Sequence, residues 1–550
     1  MNLPSPAIVA VRGAQRMPRL ALLLFCAAYV LPGLFGREPW RNADLSSFGF
    51  MASVAQGHAP WWQPSIAGLH AEGGPLPYWI GALAIKALPM VEPAFAARLP
   101  YALILVLVLV LVWYSCFHLA RTEAAQPVAF AFGGEAQSVD YARTLADGGL
   151  LALIASLGLL QLGHETTPEL MQLLASALYL YGLAAAPFRI AKARWAVMIS
   201  LPVLAASGAP AVAVVYALIG AYQCHRSQYA QVRELSLWLL ISGMLATISA
   251  WEFNAWAWRV EPTLGAQLPL DFLNLLAWFC WPAWPLAAWT LWRWRAHWQR
   301  RHIFVPLSTA LVAMATSLLM AASDRALLLG LPAFAVLAAF ALPTLKRSLA
   351  AAMDWFSVFF FSAAALFFWV YYVSMQLNWP ATPLANLRRL ADGFEPQFNA
   401  LALALALCAT IAWLALVRWR TARHQHALWK SLVLPAGGVA LCWLLAMTIL
   451  LPFADYVRSD QALVSHIRTH VPIDSNCLAA PQLSLATLAA LEFRGGWRVE
   501  ARTPLGESAC GFALQAAKAS VPAGWSSIAL TQRPMDREPS FRILQRQSRD

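Results

Sequence analysis

LALLLFCAAYVLPGLFG, residues 20–36, is followed at once by REPWRNADLSSFGFM, Arg37–Met51. The first stretch is a run of apolar residues long enough to enter a bilayer. The second puts Arg37, Glu38, Arg41 and Asp44 directly at its end, among aromatic and small residues. A carboxylate at a hydrocarbon boundary is costly unless it is paired, so such a residue is a functional-site candidate by default. The run follows Arg12, Arg16 and Arg19, and no small-residue cleavage site comes after it, so it reads as a retained first helix, not a signal peptide.

Working outward, apolar runs recur. The 550 residues are 60% hydrophobic and 12% charged, half or less of the roughly 25% charge of a soluble domain. Further spans are expected near 99–119, 145–163, 169–188, 194–208, 209–223, 234–251, 271–292, 303–322, 326–343, 354–376, 400–418 and 430–452. That makes about thirteen transmembrane helices, since roughly 20 apolar residues cross the hydrocarbon, and lipid leaves helices as the spanning element. The pair at 194–223 is one stretch broken by Ser207-Gly208-Ala209-Pro210, either two short helices or one kinked helix.

Basic residues gather on alternate loops: Arg189, Lys192 and Arg194; Arg226 and Arg233; Arg293, Arg295, Arg300 and Arg301; Lys346 and Arg347; Arg418, Arg420, Arg423 and Lys430. Arg388 and Arg389, in the loop near 377–399, are the exception. By the positive-inside rule the N-terminus is cytoplasmic. An odd number of spans then puts residues 453–550 on the other side. There charges return, and the pattern reads as a small periplasmic α/β domain after a membrane domain at 1–452, which includes a periplasmic loop at 37–98. Cys477 and Cys510 are the two cysteines outside the spans, and in an oxidising compartment they could pair; two buried thiols is the plainer alternative. The net charge of +12 follows topology, and no basic, aromatic-interleaved patch argues for nucleic acid.

The loops expected on the outer face collect the acids Asp44, Glu72, Glu165 and Glu169 with the bases Arg37, Arg41, Arg259 and Arg325. A carboxylate serves as general base toward a hydroxyl or amine, and a guanidinium fork fits a phosphate. Together at a lipid surface they suggest group transfer from a lipid phosphate. His164, Glu165 and Glu169 could bind a divalent ion, although H-E-x-x-x-E lacks the second histidine of H-E-x-x-H; orienting substrate or capping the next helix is the alternative. WEFNAWAWR, from Trp251, lies on the same face and offers Trp251 and Asn254 for sugar or acceptor contact, whereas WFCWPAW and LWRWRAHW read as interfacial anchors.

These stretches resemble the bacterial GT-C membrane glycosyltransferases, particularly the ArnT-type aminoarabinose transferases and the protein O-mannosyltransferase relatives. NADLSSFGF, GHAPWWQPSIAG and EGGPLPYW stand where that family has its acidic motif after the first helix, its G-x-W-x-x-P-x-x-x-G element and its E-K-P-P-L-x-Y-W element. Asp44 matches the leading aspartate; Glu72, Tyr78 and Trp79 match the third element. HETTPELM resembles the second acidic loop, with Glu169 as its acid and Glu165 as competitor, and SDRALLLGLPAF resembles a late basic element carrying Arg325. The resemblance implies a polytopic α-helical GT-C fold. It implies an inverting transfer of a sugar from a polyprenyl-phosphate donor to lipid A, another envelope glycan or a protein, as in lipopolysaccharide modification at the periplasmic face of a bacterial inner membrane, with Asp44 as general base. It names no certain cofactor; a divalent metal ion is the candidate.

Departures are as specific. The second acid of the usual pair is Leu45, the following arginine is Ser47, the lysine of E-K-P-P is Gly73, and K-G-P is SGAP. The donor's phosphate would need other cations, for which Arg41 and Arg259 are the candidates. Two other classes compete: a lipid or glycan transporter or flippase, which would place charges inside spans or repeat its halves, and a non-catalytic membrane scaffold derived from the GT-C fold.

Overall fold

The computed structural model describes residues 5–547 except 254, 257–267, 392, 423–426, 476 and 537. Among the described residues six helices are long and apolar enough to cross a membrane: Pro93–Ala120, Ala230–Glu252, Arg301–Leu319, Arg347–Leu377, Ala400–Thr421 and the Leu428–Ala446 segment. Arg19–Val30, Pro210–His225, Leu268–Phe279 and Leu331–Thr344 are apolar but shorter. Large apolar side chains stand exposed along the longest of them, among them Phe359, Leu366, Leu401, Ile411 and Leu414. Water would penalise such a surface and lipid does not; the chain is a multi-pass membrane protein.

Thirteen full-length spans are not what the described residues contain. An apolar run marks burial in lipid or protein without marking where a helix breaks. The run at 145–163 is Ser138–Ala155 followed by Leu157–Leu162, turned at Ser156. The run at 271–292 is Leu268–Phe279 and Ala283–Arg293, interrupted before Pro282, which cannot continue a hydrogen-bonded helix. The stretch at 194–223 is two helices, Ile190–Ala206 and Pro210–His225. Gly208, at φ +97°, makes the corner between them, a conformation an L side chain resists.

The first loop is structured. It holds the helix Ala43–Gln56, a two-stranded hairpin of β1 (Ser65–Ile66) and β2 (Leu69–His70), and the helix Leu76–Ala87. The C-terminal part carries the helices Gln461–Arg468 and Leu485–Phe493 and five strands: β3 (Leu478–Ala479), β4 (Val499–Glu500), β5 (Phe512–Ala516), β6 (Trp525–Thr531) and β7 (Phe541–Arg546). Their order is β4-β3-β5-β7-β6, with β3 parallel to both neighbours and the rest antiparallel. Cys477 precedes β3 and Cys510 precedes β5, at the same end of adjacent parallel strands, and the two form a disulfide with Cα atoms 5.1 Å apart.

This C-terminal part is packed onto the first loop. Phe48 meets Phe493 edge to face at 4.6 Å, and Gly49 lies so close to Ala489 that a Cβ would come within 2.4 Å of its Cβ. Glu38 is ion-paired with Arg494, and Ala67 N donates to Glu492 Oε1 at 3.1 Å. The helix that carries Asp44 is therefore held from above by the C-terminal helix Leu485–Phe493.

Candidate active site

Asp44 sits in the first turn of Ala43–Gln56, where the helix N-terminus favours a carboxylate. It is 1% exposed. Oδ1 accepts Thr166 N at 2.7 Å and Thr166 Oγ1 at 2.9 Å, while Oδ2 accepts Trp40 N at 3.1 Å and Arg37 Nη2 at 3.2 Å. The same Arg37 nitrogen donates to His164 O at 2.7 Å. One carboxylate thus ties the first loop to the second. Trp40 is clasped between Arg37 and Arg458, whose guanidinium carbons lie 4.8 Å and 4.9 Å from its ring, and its indole donates to Asp455 at 2.7 Å.

From Thr166 the network runs toward a cavity. Arg458 donates to Gln161 Oε1 at 2.7 Å, and Gln161 donates to Glu165 Oε1 at 2.9 Å. Glu165 Oε2 accepts Arg325 Nη2 at 2.7 Å, and Arg325 Nη1 reaches Glu169 at 3.4 Å. Burial, with the Asp44 charge behind it, pushes the Glu165 carboxyl above its usual range, and Arg325 opposes this. Burial also works against the Arg325 charge, but Glu165 and Glu169 outweigh it and hold the guanidinium above its ordinary value.

The cavity has a volume of about 720 Å³. Its polar end is formed by Glu72, Tyr78, Glu169, Gln172, Ser207 and Arg325. From there it continues between the helices Pro210–His225 and Arg301–Leu319, past Val215, Leu218, Ile219, Leu311, Val312 and Leu319, as far as Tyr222 and Phe304. Pro210 to Tyr222 is about 18 Å of helix at 1.5 Å per residue. Leu218, Leu311 and Leu319 are more than half exposed, so this apolar channel opens sideways. Gln172 Nε2 donates to Ser207 O at 2.7 Å and pins the Ser207–Pro210 corner. Gly73, at φ +116°, and Gly74 abut that corner; a Cβ on Gly74 would fall 1.8 Å from Ala206 O. Where the resembling family has a lysine, this chain therefore has backbone in close contact, and among the described residues Arg325 is the one basic side chain in the cavity wall.

Several sequence expectations meet here and several do not. Glu72, Tyr78, Glu169 and Arg325 line the cavity. Asp44, His164 and Glu165 join the network behind it. Asp44, expected as the general base, accepts four hydrogen bonds on its two oxygens and is not part of the cavity wall. The metal set of His164, Glu165 and Glu169 is corrected. Both ring nitrogens of His164 face carbonyl oxygens, those of Leu160 at 2.7 Å and Tyr29 at 2.8 Å, and Arg325 bridges the two glutamates. The metal-type cluster among the described residues, Cys477, Glu500 and Cys510, contains the two disulfide sulfurs. Arg41 faces the C-terminal part, donating to Val457 O, and is not a cavity cation. Trp251 is 80% exposed and outside the wall, whereas Trp256 of the same stretch is in it. Asn254 and Arg259 lie outside the described residues. Trp256 belongs to the WEFNAWAWR stretch, whereas Gln172, Ser207 and Tyr222 are not legible in the sequence as site residues. Their one sequence signal was the SGAP break, since uncharged side chains inside apolar runs look like packing.

No protein-family model matches the chain, and no curated protein matches it. Solved structures do. ArnT from Cupriavidus metallidurans bound to undecaprenyl phosphate superposes with a TM-score of 0.58 at 14% identity, over 96% of this chain and 97% of that one. Its apo state gives 0.59 at 14% identity, over 96% and 98%. The Archaeoglobus fulgidus oligosaccharyltransferase matches at 0.48 and 11% identity, over 88% and 64%. The fold is that of these ArnT structures.

Proposed function

We propose that this chain transfers a sugar from a polyprenyl-phosphate donor to an envelope acceptor (lipid A, another glycan or a protein) on the extracytoplasmic side of a bacterial inner membrane. The observation that carries the reading is the cavity: a charged end continuous with an apolar channel that opens laterally toward lipid. A ligand with a polar head and a long hydrocarbon tail matches both halves. The neighbour of like fold that is bound to undecaprenyl phosphate supports the same ligand class, and the Cys477–Cys510 disulfide supports an oxidising compartment for the C-terminal part.

In this reading the isoprenoid lies between Pro210–His225 and Arg301–Leu319, and the head group lies against Glu72, Glu169 and Arg325. Arg325 holds the leaving phosphate. Glu169, in the wall and within reach of a bound acceptor, takes the proton as the acceptor attacks the anomeric carbon with inversion. Asp44 positions the second loop and does not touch the reacting atoms. General-base chemistry contributes roughly 10²–10⁴-fold in rate. Glu169→Gln in reconstituted membranes with a labelled polyprenyl-phosphate sugar is expected to lose transfer by about that factor while its melting temperature stays unchanged. Undiminished transfer in that variant removes Glu169 as the base. Envelope mass spectrometry with and without the gene, showing no sugar-sized mass difference, overturns the whole reading.

A further inference from the structure

Two stretches far apart in the chain mix aromatic and basic residues: WYSCFHLAR, Trp113–Arg121, and PFRIAKARW, Pro187–Trp195. The first ends the helix Pro93–Ala120, and the second joins Pro168–Ala185 to Ile190–Ala206. Pro168–Ala185 begins beside Glu169 in the cavity wall and ends about 27 Å away at 1.5 Å per residue. The two stretches therefore meet at the opposite membrane surface from the cavity. Phe188 stacks on His118 at 5.8 Å, Tyr181 lies 6.0 Å from the same imidazole, and Tyr114 meets Tyr181 edge on at 6.4 Å. The Arg121 guanidinium carbon lies 4.6 Å from the Phe188 ring and 5.4 Å from the Phe117 ring. A guanidinium held by ring faces keeps its N–H edge for a phosphate.

Charge here is unbalanced. The charges of Arg121, Arg189 and Lys192 all act on His118, and no carboxylate does. None of the three is in an ion pair among the described residues, whereas Arg194 and Arg420, in the same set of loops, are paired with Glu234 and Asp354. Arg189 and Lys192 are exposed. His118 is buried, and its Nδ1 has no hydrogen-bond partner among the described residues.

An apolar groove leads from this cluster toward the membrane interior. Leu103, Leu107, Val110 and Tyr114 are exposed and recur at helical spacing in line with His118 and Arg121. Trp195 and Ile199 are exposed along the helix Ile190–Ala206. Pro168–Ala185 packs against both of these helices and supplies the floor with half-buried Leu174, Leu178 and Tyr181. Leu103 to Tyr114 is about 16 Å of helix, one leaflet's share of about 30 Å of hydrocarbon.

We propose that this groove binds one anionic phospholipid of the leaflet opposite the cavity, its phosphate held by Arg121, Arg189, Lys192 and the His118 imidazole and an acyl chain lying along Leu103–Tyr114. Basic pockets between spanning helices take such head groups. A zwitterionic lipid brings its own cation, which three unpaired bases repel. The bound lipid ties Pro93–Ala120 to Pro168–Ala185, whose other end carries Glu169.

The test is native mass spectrometry of the purified full-length protein in micelles doped with dioleoylphosphatidylglycerol or dioleoylphosphatidylcholine, with inorganic phosphate as a third arm. One phosphatidylglycerol per chain is expected to stay bound where phosphatidylcholine is lost. Arg189→Gln/Lys192→Gln is expected to weaken its binding about 25-fold, about fivefold per base, and Arg121→Gln by about fivefold. Arg233→Gln/Arg347→Gln, which removes two exposed bases from other loops of the same face, is expected to leave it unchanged. Equal retention of the two lipids, equal losses in the two double variants, or displacement of the lipid by inorganic phosphate overturns the site. Should Arg121→Gln not fold, the double variant at the exposed Arg189 and Lys192 decides alone.

Discussion

Asp44 shows how much of one side chain's setting a sequence carries. Its acidity, its position at a helix start and its distance from the first span were all legible, and it does join the acids of the second loop. What a string of letters does not carry is the direction of two oxygens, both of which accept hydrogen bonds from protein. Removing one partner of a buried charge pair costs about 3–5 kcal/mol, because the other is left uncompensated. Asp44→Ala is therefore expected to destabilise the protein by that order, read as a lower unfolding midpoint in detergent, with transfer lost as a consequence. Glu169→Gln should lose transfer alone, and the pair of variants separates positioning from chemistry. Glu492 gives a pH signature at the same scale. Burial lifts its carboxyl from 4.5 to about 7, with the Ala67 N–H pulling weakly the other way. A raised acid means that the folded state holds the proton more tightly than the unfolded chain does. Its contribution is complete below about pH 4.5 and lost as pH climbs toward 7. Melting temperature against pH should fall over that window, and Glu492→Gln should flatten it.

Among the elements, glycine contacts decide what packs. Gly74 lets EGGPLPYW close against Ala206 O, and no Cβ fits there. Gly74→Ala is expected to force the two segments apart, costing about 1–3 kcal/mol and raising the KM for the lipid donor more than it lowers kcat; an unchanged KM would mean that the corner plays no part in holding the head group. Long apolar helices such as Pro93–Ala120 were readable from hydropathy alone. The breaks at Ser156 and before Pro282 were not, because averaging over a window erases a turn. The corner at Gly208 was readable, because glycine and proline punctuate directly. The cavity wall lay hidden for a related reason: Gln172, Ser207 and Tyr222 are single polar positions on helices whose outward face only assembly defines.

At the scale of the whole molecule, composition was enough for a polytopic helical chain with a small C-terminal α/β domain, and the GT-C fold came from the resemblance of its motifs. The juncture between its parts was invisible, since the contacts of Gly49 with Ala489 and of Glu38 with Arg494 join residues more than four hundred positions apart. The sideways opening between Leu218, Leu311 and Leu319 has a kinetic meaning. A substrate that comes in from the bilayer is concentrated in two dimensions, so saturation should track its mole fraction among lipids, not moles per litre of buffer. Alkyl-chain detergents would then act as competitors for the same berth, and a rate measured in micelles would understate the rate in a vesicle.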